Sequence, residues 1–248
     1  MRYFREGTEI RYKGSHDLVS DADVEAEKLI VEVIRSTFPD HSFLGEEEHS
    51  DSVDAEHLWV IDPVDGTNNF AHGVPHFGIS IGYVHNGVRT AGVVYHPALN
   101  ELYAAARGEG ATVNGEPARV SSVTTLKEAL AVTGFYYDRG KTMEETLSTI
   151  RELFLRGVHG IRRYGAASLD LCYVGCGRFE VYFEYELKPW DFAAGALFVE
   201  EAGGAVTACT GKSLPLAHTS LIATNGALHD ELVALVKEHV PHLTPLSE

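Results

Sequence analysis

Residues 59–70, WVIDPVDGTNNF, end an apolar run in two carboxylates and follow them at once with a glycine and a hydroxyl residue. Asp62 and Asp65, one turn apart, can then point at the same hard cation, with the Val64 carbonyl between them. The amides after Gly66 can hold an anion. Carboxylates for magnesium beside amides for a phosphate make up the chemistry of metal-assisted phosphoryl transfer to water. Three further acidic groupings accompany this pair: Glu46-Glu47-Glu48 after Gly45, Asp21 and Asp23 at the start of a helix, and Asp191 after Trp190. Taken singly, each has a plainer reading. The glutamates fit a solvated loop, Asp21 and Asp23 favour a helix dipole, Asp191 fits an N-cap, and Asp62 and Asp65 fit a turn.

The elements that must position these groups are those of a mixed α and β protein. Ser20 could cap a helix from Asp21 to about Thr37, with Ile30, Val33, Ile34 and Phe38 on its apolar face. Residues 57–61 read as a short strand. Residues 79–84 and 88–95 read as strands joined at Asn86-Gly87, a strong hairpin signal, and 102–106 as a third. In the second half, 144–156 reads as a helix with Leu147, Ile150 and Phe154 inward, 166–174 as another, and 179–185 as a strand. Residues 191–202 form a helix closed by Gly203-Gly204, 221–224 a strand, and 228–240 a last helix. The expectation is one domain over residues 1–248, loosely divided near 120.

Composition narrows the function. The net charge of −16 is unfavourable for nucleic-acid or anionic-membrane partners, and no basic cluster overrides it. The 44% of apolar residues suffices for a core. Cys172, Cys176 and Cys209 are odd in number and form no CxxC pair, so they read as free thiols in a reducing compartment. Residues 1–6 are charged, unlike a signal peptide, and no apolar run reaches membrane-spanning length. A cytoplasmic protein is the expectation. The 13 histidines form no recognisable zinc spacing and read as surface or packing residues.

Taken together the acidic groupings follow one pattern. KGSHDLVSDAD (Lys13 to Asp23), GEE (Gly45 to Glu47), DPVDGTNNF (Asp62 to Phe70), Gly165 to Ala167, and Trp190-Asp191 with Gly203-Gly204 after them stand in this order. The chain resembles, over nearly its whole length, the inositol monophosphatase family of lithium-sensitive, magnesium-dependent phosphomonoesterases. The resemblance implies an α+β fold, a layered α-β-α-β-α sandwich, and a homodimer. By position it implies that Glu46, Asp62 and the Val64 carbonyl hold one Mg2+, and that Asp62, Asp65 and Asp191 hold a second. Glu46 and Asp23 would hold a third, weaker ion through water. Sharing Asp62 suits a two-metal site, whose ions lie about 3.5–4 Å apart. Gly66 and Thr67 would present amides to the phosphate, bordered by Asp65 and Asp191, and Thr67 and Glu46 would take the proton of a metal-activated water attacking in line. Ala167 would touch the substrate through its backbone. Glu184, seven residues before Asp191, would bind substrate hydroxyls; its plainer reading is a strand-surface carboxylate. Lys13 would lie in a loop closing over the metals.

One departure bears on substrate. Relatives commonly carry serine or threonine where this chain has Ala166, so a hydroxyl near the sugar is missing. Asn68-Asn69-Phe70 favours the inositol branch over nucleotide phosphatases (DGTKEF) and histidinol-phosphate phosphatases. The implied activity is hydrolysis of myo-inositol monophosphate or a similar polyol phosphate. A broader sugar phosphatase, including fructose 1,6-bisphosphatase activity with Arg162, Arg163 or Arg178 on a second phosphate, is the alternative. Intact Glu46, Asp62, Asp65, Thr67 and Asp191 argue against a silent phosphosugar- or partner-binding protein.

Overall fold

The computed structural model describes residues 1, 3–4, 10–12, 18–135 and 139–240; Lys13 lies outside them. A short antiparallel pair, β1 (Ile10–Tyr12) and β2 (Leu18–Ser20), leads into α1 (Asp21–Thr37). Seven strands then lie side by side in chain order: β3 (Ser42–Gly45), β4 (His57–Asp65), β5 (Gly78–His85), β6 (Val88–His96), β7 (Glu101–Ala106), β8 (Gly110–Val113) and β9 (Glu116–Pro117). Only β3 and β4 run parallel; the rest form a meander. The β5–β6 turn places Asn86 and Gly87 at positive φ, 48° and 75°, as a twist-matched two-residue hairpin requires.

The second sheet has the order β11-β10-β12-β14-β13, from β10 (Leu130–Thr133), β11 (Gly160–Arg162), β12 (Val181–Leu187), β13 (Ala205–Thr207) and β14 (Thr219–Thr224). Among the described residues five further α-helices follow, α2 (Thr67–Ala71), α3 (Lys141–Leu155), α4 (Ala167–Gly175), α5 (Pro189–Glu201) and α6 (His229–His239), with a 3-10 turn at Leu126–Glu128. Helices α4 and α5 pack on each other and contact both sheets. Helix α1 lies on β4, while α3 and α6 pair on the outer side of the second sheet. The layers are therefore α-β-α-β-α. Enclosed between two sheets, α5 has no polar stripe, and Phe192 through Val199 are all buried. Its approach to the first sheet is close enough that a Cβ on Gly92 would lie 2.9 Å from the Ala194 Cα.

Two helix faces differ from the sequence reading. On α1, Val33 is exposed, as is Phe38 just past its end, while Asp23, Glu27 and Val31 are buried, with Ile30 and Ile34 partly so. The inward stripe is rotated because two acids on it have work inside. On α3, Leu147 and Phe154 are exposed and Thr146, Thr149 and Leu153 are buried. Inward threonines are tolerated because their hydroxyls are satisfied: Thr149 bonds the Tyr185 hydroxyl and Thr146 donates to the Thr142 carbonyl. The strand expected at 179–185 runs instead from Val181 to Leu187, which carries it closer to Asp191. Among the described residues no helix is long and apolar enough to cross a membrane.

Candidate active site

The first carboxylate pair is set by an irregularity in β4. Along a regular strand, residues three apart point to opposite faces. Pairing with β5 shifts between Asp62, opposite Ser80, and Asp65, opposite Gly78, so β4 carries one extra residue there. This bulge at Pro63-Val64 brings both aspartates to one side, and proline is tolerated because a bulge needs no ladder donor at that point. The strand therefore continues through the acidic motif and does not stop at Ile61. The Val64 amide donates to Asp62 Oδ1 at 3.0 Å and fixes that side chain.

The parallel register of β3 adds the next acid. Gly45 lies opposite Ile61, and the Glu46 amide donates to the Ile61 carbonyl, which sets Glu46 beside Asp62. Asp191 arrives from α5, where it is the third residue and accepts the Lys188 amide at 2.6 Å. It is thus not the N-cap that spacing alone suggested. Glu46, Asp62, Val64, Asp65, Gly66, Thr67, Ala167, Glu184 and Asp191 line one cavity of about 230 Å³. Asp23 stands behind it: the Thr67 hydroxyl is 3.2 Å from Asp23 Oδ1 and 3.0 Å from the Val64 carbonyl, one proton shared between two acceptors. Gly66, at φ 93°, turns the chain from β4 into α2, whose first amides have no partner within the helix.

Crowded acids do not ionise freely. Burial pushes Asp62 well up, and the neighbouring Glu46, Asp65 and Asp191 add to it. Asp191 is raised well above its ordinary value by burial, then by Glu46 and Asp65. Asp65 is raised by burial against the opposing pull of its donors at Ser168, Ala167 and Leu169. An all-oxygen donor set whose members repel one another fits a hard divalent cation, which would remove that repulsion.

A sequence profile of the inositol monophosphatase family matches residues 1–241. The chain belongs to that family. A relative from Thermotoga maritima, named fructose-1,6-bisphosphatase/inositol-1-monophosphatase, is 43% identical over 231 residues, covering 93% of this chain and 86% of its own. Nus factor SuhB of Pseudomonas aeruginosa is 40% identical over 237 residues, covering 94% and 87%. The solved structure of the Thermotoga maritima IMPase TM1415 superposes with a TM-score of 0.90 at 40% identity, covering 98% of this chain and 93% of that one.

Further contacts surround these acids, some of them from residues outside the motifs. Glu27, buried on α1, accepts the amides of Glu47, Glu48 and His49 at 2.8–3.1 Å and so holds the loop that presents Glu46. Asp65 accepts the Ala167 and Ser168 amides at 3.1 and 2.7 Å and the Ser168 hydroxyl at 2.5 Å. With Ala166 at the N-cap of α4 and no side-chain cap of its own there, Asp65 caps the helix from outside. The Ala167 amide is committed to this bond, so a backbone contact to substrate cannot use that hydrogen. Asp170 is buried with no hydrogen-bond partner among the described residues and is pushed well up by burial, Asp65 and Glu184, against the pull of Arg163. Glu184 accepts from the Tyr182 hydroxyl at 2.7 Å and is pushed up to about 7, by burial first. Its carboxylate lies over Gly134, where a Cβ would collide with it.

Of the three arginines considered for a second phosphate, only Arg163 lines the cavity. Arg178 is paired with Glu101 at 2.6 Å, and Arg162 donates to the Ile161 carbonyl. Asn68 lines the cavity, whereas Asn69 donates to the carbonyls of His76 and Tyr164 and ties two loops together.

Proposed function

We infer that this chain is a magnesium-dependent phosphoric monoester hydrolase acting on inositol monophosphate or a similar polyol or sugar phosphate. The observation that carries the reading is the bulge that sets Asp62 and Asp65 on one side, beside Glu46 and Asp191. Glu46, Asp62 and the Val64 carbonyl would hold one Mg2+, Asp62, Asp65 and Asp191 a second, and Glu46 with Asp23 a third. Bound there, the cations would supply positive charge to the attacking and leaving oxygens. The chain's own residues do the rest. Gly66 and Thr67 present amides to the phosphate, and the Thr67 hydroxyl passes a proton toward Glu46 or Asp23. Asp65 is held at the cavity by the Ala167 and Ser168 amides and the Ser168 hydroxyl.

Arg163 at the cavity supports a second reading, a broader activity that includes fructose 1,6-bisphosphate, in line with the double name of the Thermotoga relative. One domain, a homodimer and a cytoplasmic location belong to the same proposal, the last supported by the three free cysteines. The test is phosphate release from inositol 1-phosphate with Mg2+, with chelator, and with Mg2+ plus lithium against a sodium control. Release only with Mg2+, suppressed by lithium, is expected; chelator-resistant release would overturn the metal reading, and no release would leave a binding protein.

Glu184 is proposed to select the alcohol. Glu184→Gln should cost about 1–3 kcal/mol of discrimination between polyol phosphates, the scale of a hydrogen bond to a charged group. Hydrolysis of para-nitrophenyl phosphate, which offers no hydroxyl, should hardly change. Equal loss of kcat/KM on both substrates would instead make Glu184 a support of the site.

A further inference from the structure

The strand that ends on Asp62 and Asp65 begins on His57, and the residue paired with His57 across β4 and β5 is His85. His41 stacks on His57 with ring centroids 4.4 Å apart. Three imidazoles therefore share one edge of the first sheet with Trp59 and Tyr83. One is already satisfied: the Trp59 indole N–H donates to His41 Nδ1 at 2.9 Å. The other two crowd each other, although His85 Nε2 has the Asn86 side-chain amide at 3.0 Å. His57 Nδ1 and His85 Nδ1 lie 3.1 Å apart, and the Tyr83 hydroxyl is 2.7 Å from the same His57 nitrogen. A neutral ring nitrogen offers one lone pair or one hydrogen. Two lone pairs at that distance repel, and with a hydrogen between the rings the His57 nitrogen still has two claimants. Glu56 brings a carboxylate oxygen to 3.7 Å from the other ring nitrogen of His57, Nε2, so an ion bound beside Glu56 would take Nε2 and leave Nδ1 to the Tyr83 hydroxyl.

One ligand atom each from Glu56, His57 and His85 lies within 4.8 Å of the others, with Glu56 exposed and both histidines half-buried. Side chains paired across adjacent strands start close together, so gathering the two imidazoles costs little ordering. We propose that Glu56, His57 and His85 form a second metal site, for a divalent transition-metal ion of the copper or zinc type. The ligand chemistry separates it from the carboxylate cavity: imidazole nitrogen selects such ions, whereas an all-oxygen set suits magnesium. Its position separates it too. Five residues along β4 place it about 17 Å from Asp62, at 3.3–3.4 Å per residue. An ion there would clamp β4 to β5 beside the Asn86-Gly87 turn, remote from the chemistry.

The experiment uses the full chain with excess magnesium, to which one equivalent of Cu2+ is added, read by electron paramagnetic resonance. Splitting from two imidazole nitrogens is expected in the parent protein, from one nitrogen in His85→Asn, and from none in a His57→Ala/His85→Ala variant. Magnesium-dependent phosphate release should be unchanged in both variants, which also reports that they fold. If the double variant does not fold, His85→Asn alone decides the matter. A spectrum with oxygen ligands only, or a nitrogen pattern that survives in the variants, overturns the proposal.

Discussion

Asp62→Asn should lower phosphate release by about 10²–10³-fold, the loss that follows removal of one preorganised electrostatic group, or about 2.7–4 kcal/mol of barrier. Asp62 is the acid on which the others converge: buried, fixed by the Val64 amide, adjacent to Glu46, and shared between the first two of the three proposed ions. Asp21→Asn is the control. It removes one negative charge at the first position of α1, outside the residues that line the cavity. Its effect on turnover should stay within about fivefold, since a helix-terminal charge contributes less than about 1 kcal/mol. Initial rates of the two variants at saturating Mg2+ settle the assignment. Equal and small effects would remove Asp62 from the centre of the chemistry.

Magnesium should stabilise the fold, and should do so more strongly as pH rises. Asp62, Asp65 and Asp191 have folded-state pKa values above their ordinary value of 3.8. Without metal, the folded chain therefore holds more protons than the unfolded chain above that pH. Stability from these groups is complete below about pH 4 and falls as pH rises through the raised values. Cation binding needs the ionised forms, so its contribution grows over the same interval. At a Mg2+ concentration of about 100 times Kd the gain is about 2.7 kcal/mol, or roughly 5–10 °C in Tm for a chain of this size. Melting curves in chelator and in Mg2+, from about pH 5 to about pH 8, give the comparison. A magnesium shift that stays constant with pH would mean that the cation binds elsewhere.

The acidic motifs named the acids that meet in the cavity, because a metal or phosphate site constrains residue types and spacing in one short stretch. What supports those acids was not legible. Glu27 sits on a helix four residues after Asp23 and reads as another surface charge. Its partners are amides 20 to 22 residues away in chain order, and only the folded register brings them to it. Thr149 likewise hides inside because Tyr185 lies opposite, a pairing between elements that periodicity along α3 cannot express. Short strands such as β10, β11 and β13 carry three or four residues, too few for an alternation to show. The histidine edge was invisible for the same reason as Glu27: His41, His57 and His85 are distant in sequence, and only sheet pairing and stacking collect them.

The extra residue at Pro63-Val64 makes the site a matter of parity. Every residue of β4 before it is in one phase with β5, and Asp65 is in the other. Side-chain replacements at Pro63 or Val64 leave the phase alone. Removing one residue there would leave Asp65 two positions after Asp62 and still on its face, but would take away one of the two residues between the acids and with it the spacing at which the Val64 amide bonds Asp62. Keeping all three steps without the bulge would turn Asp65 to the opposite face and withdraw the cap from α4. Drift in this chain is therefore open in composition at that dipeptide and closed in length. Alignments of related sequences should be gap-free there, even where the letters differ.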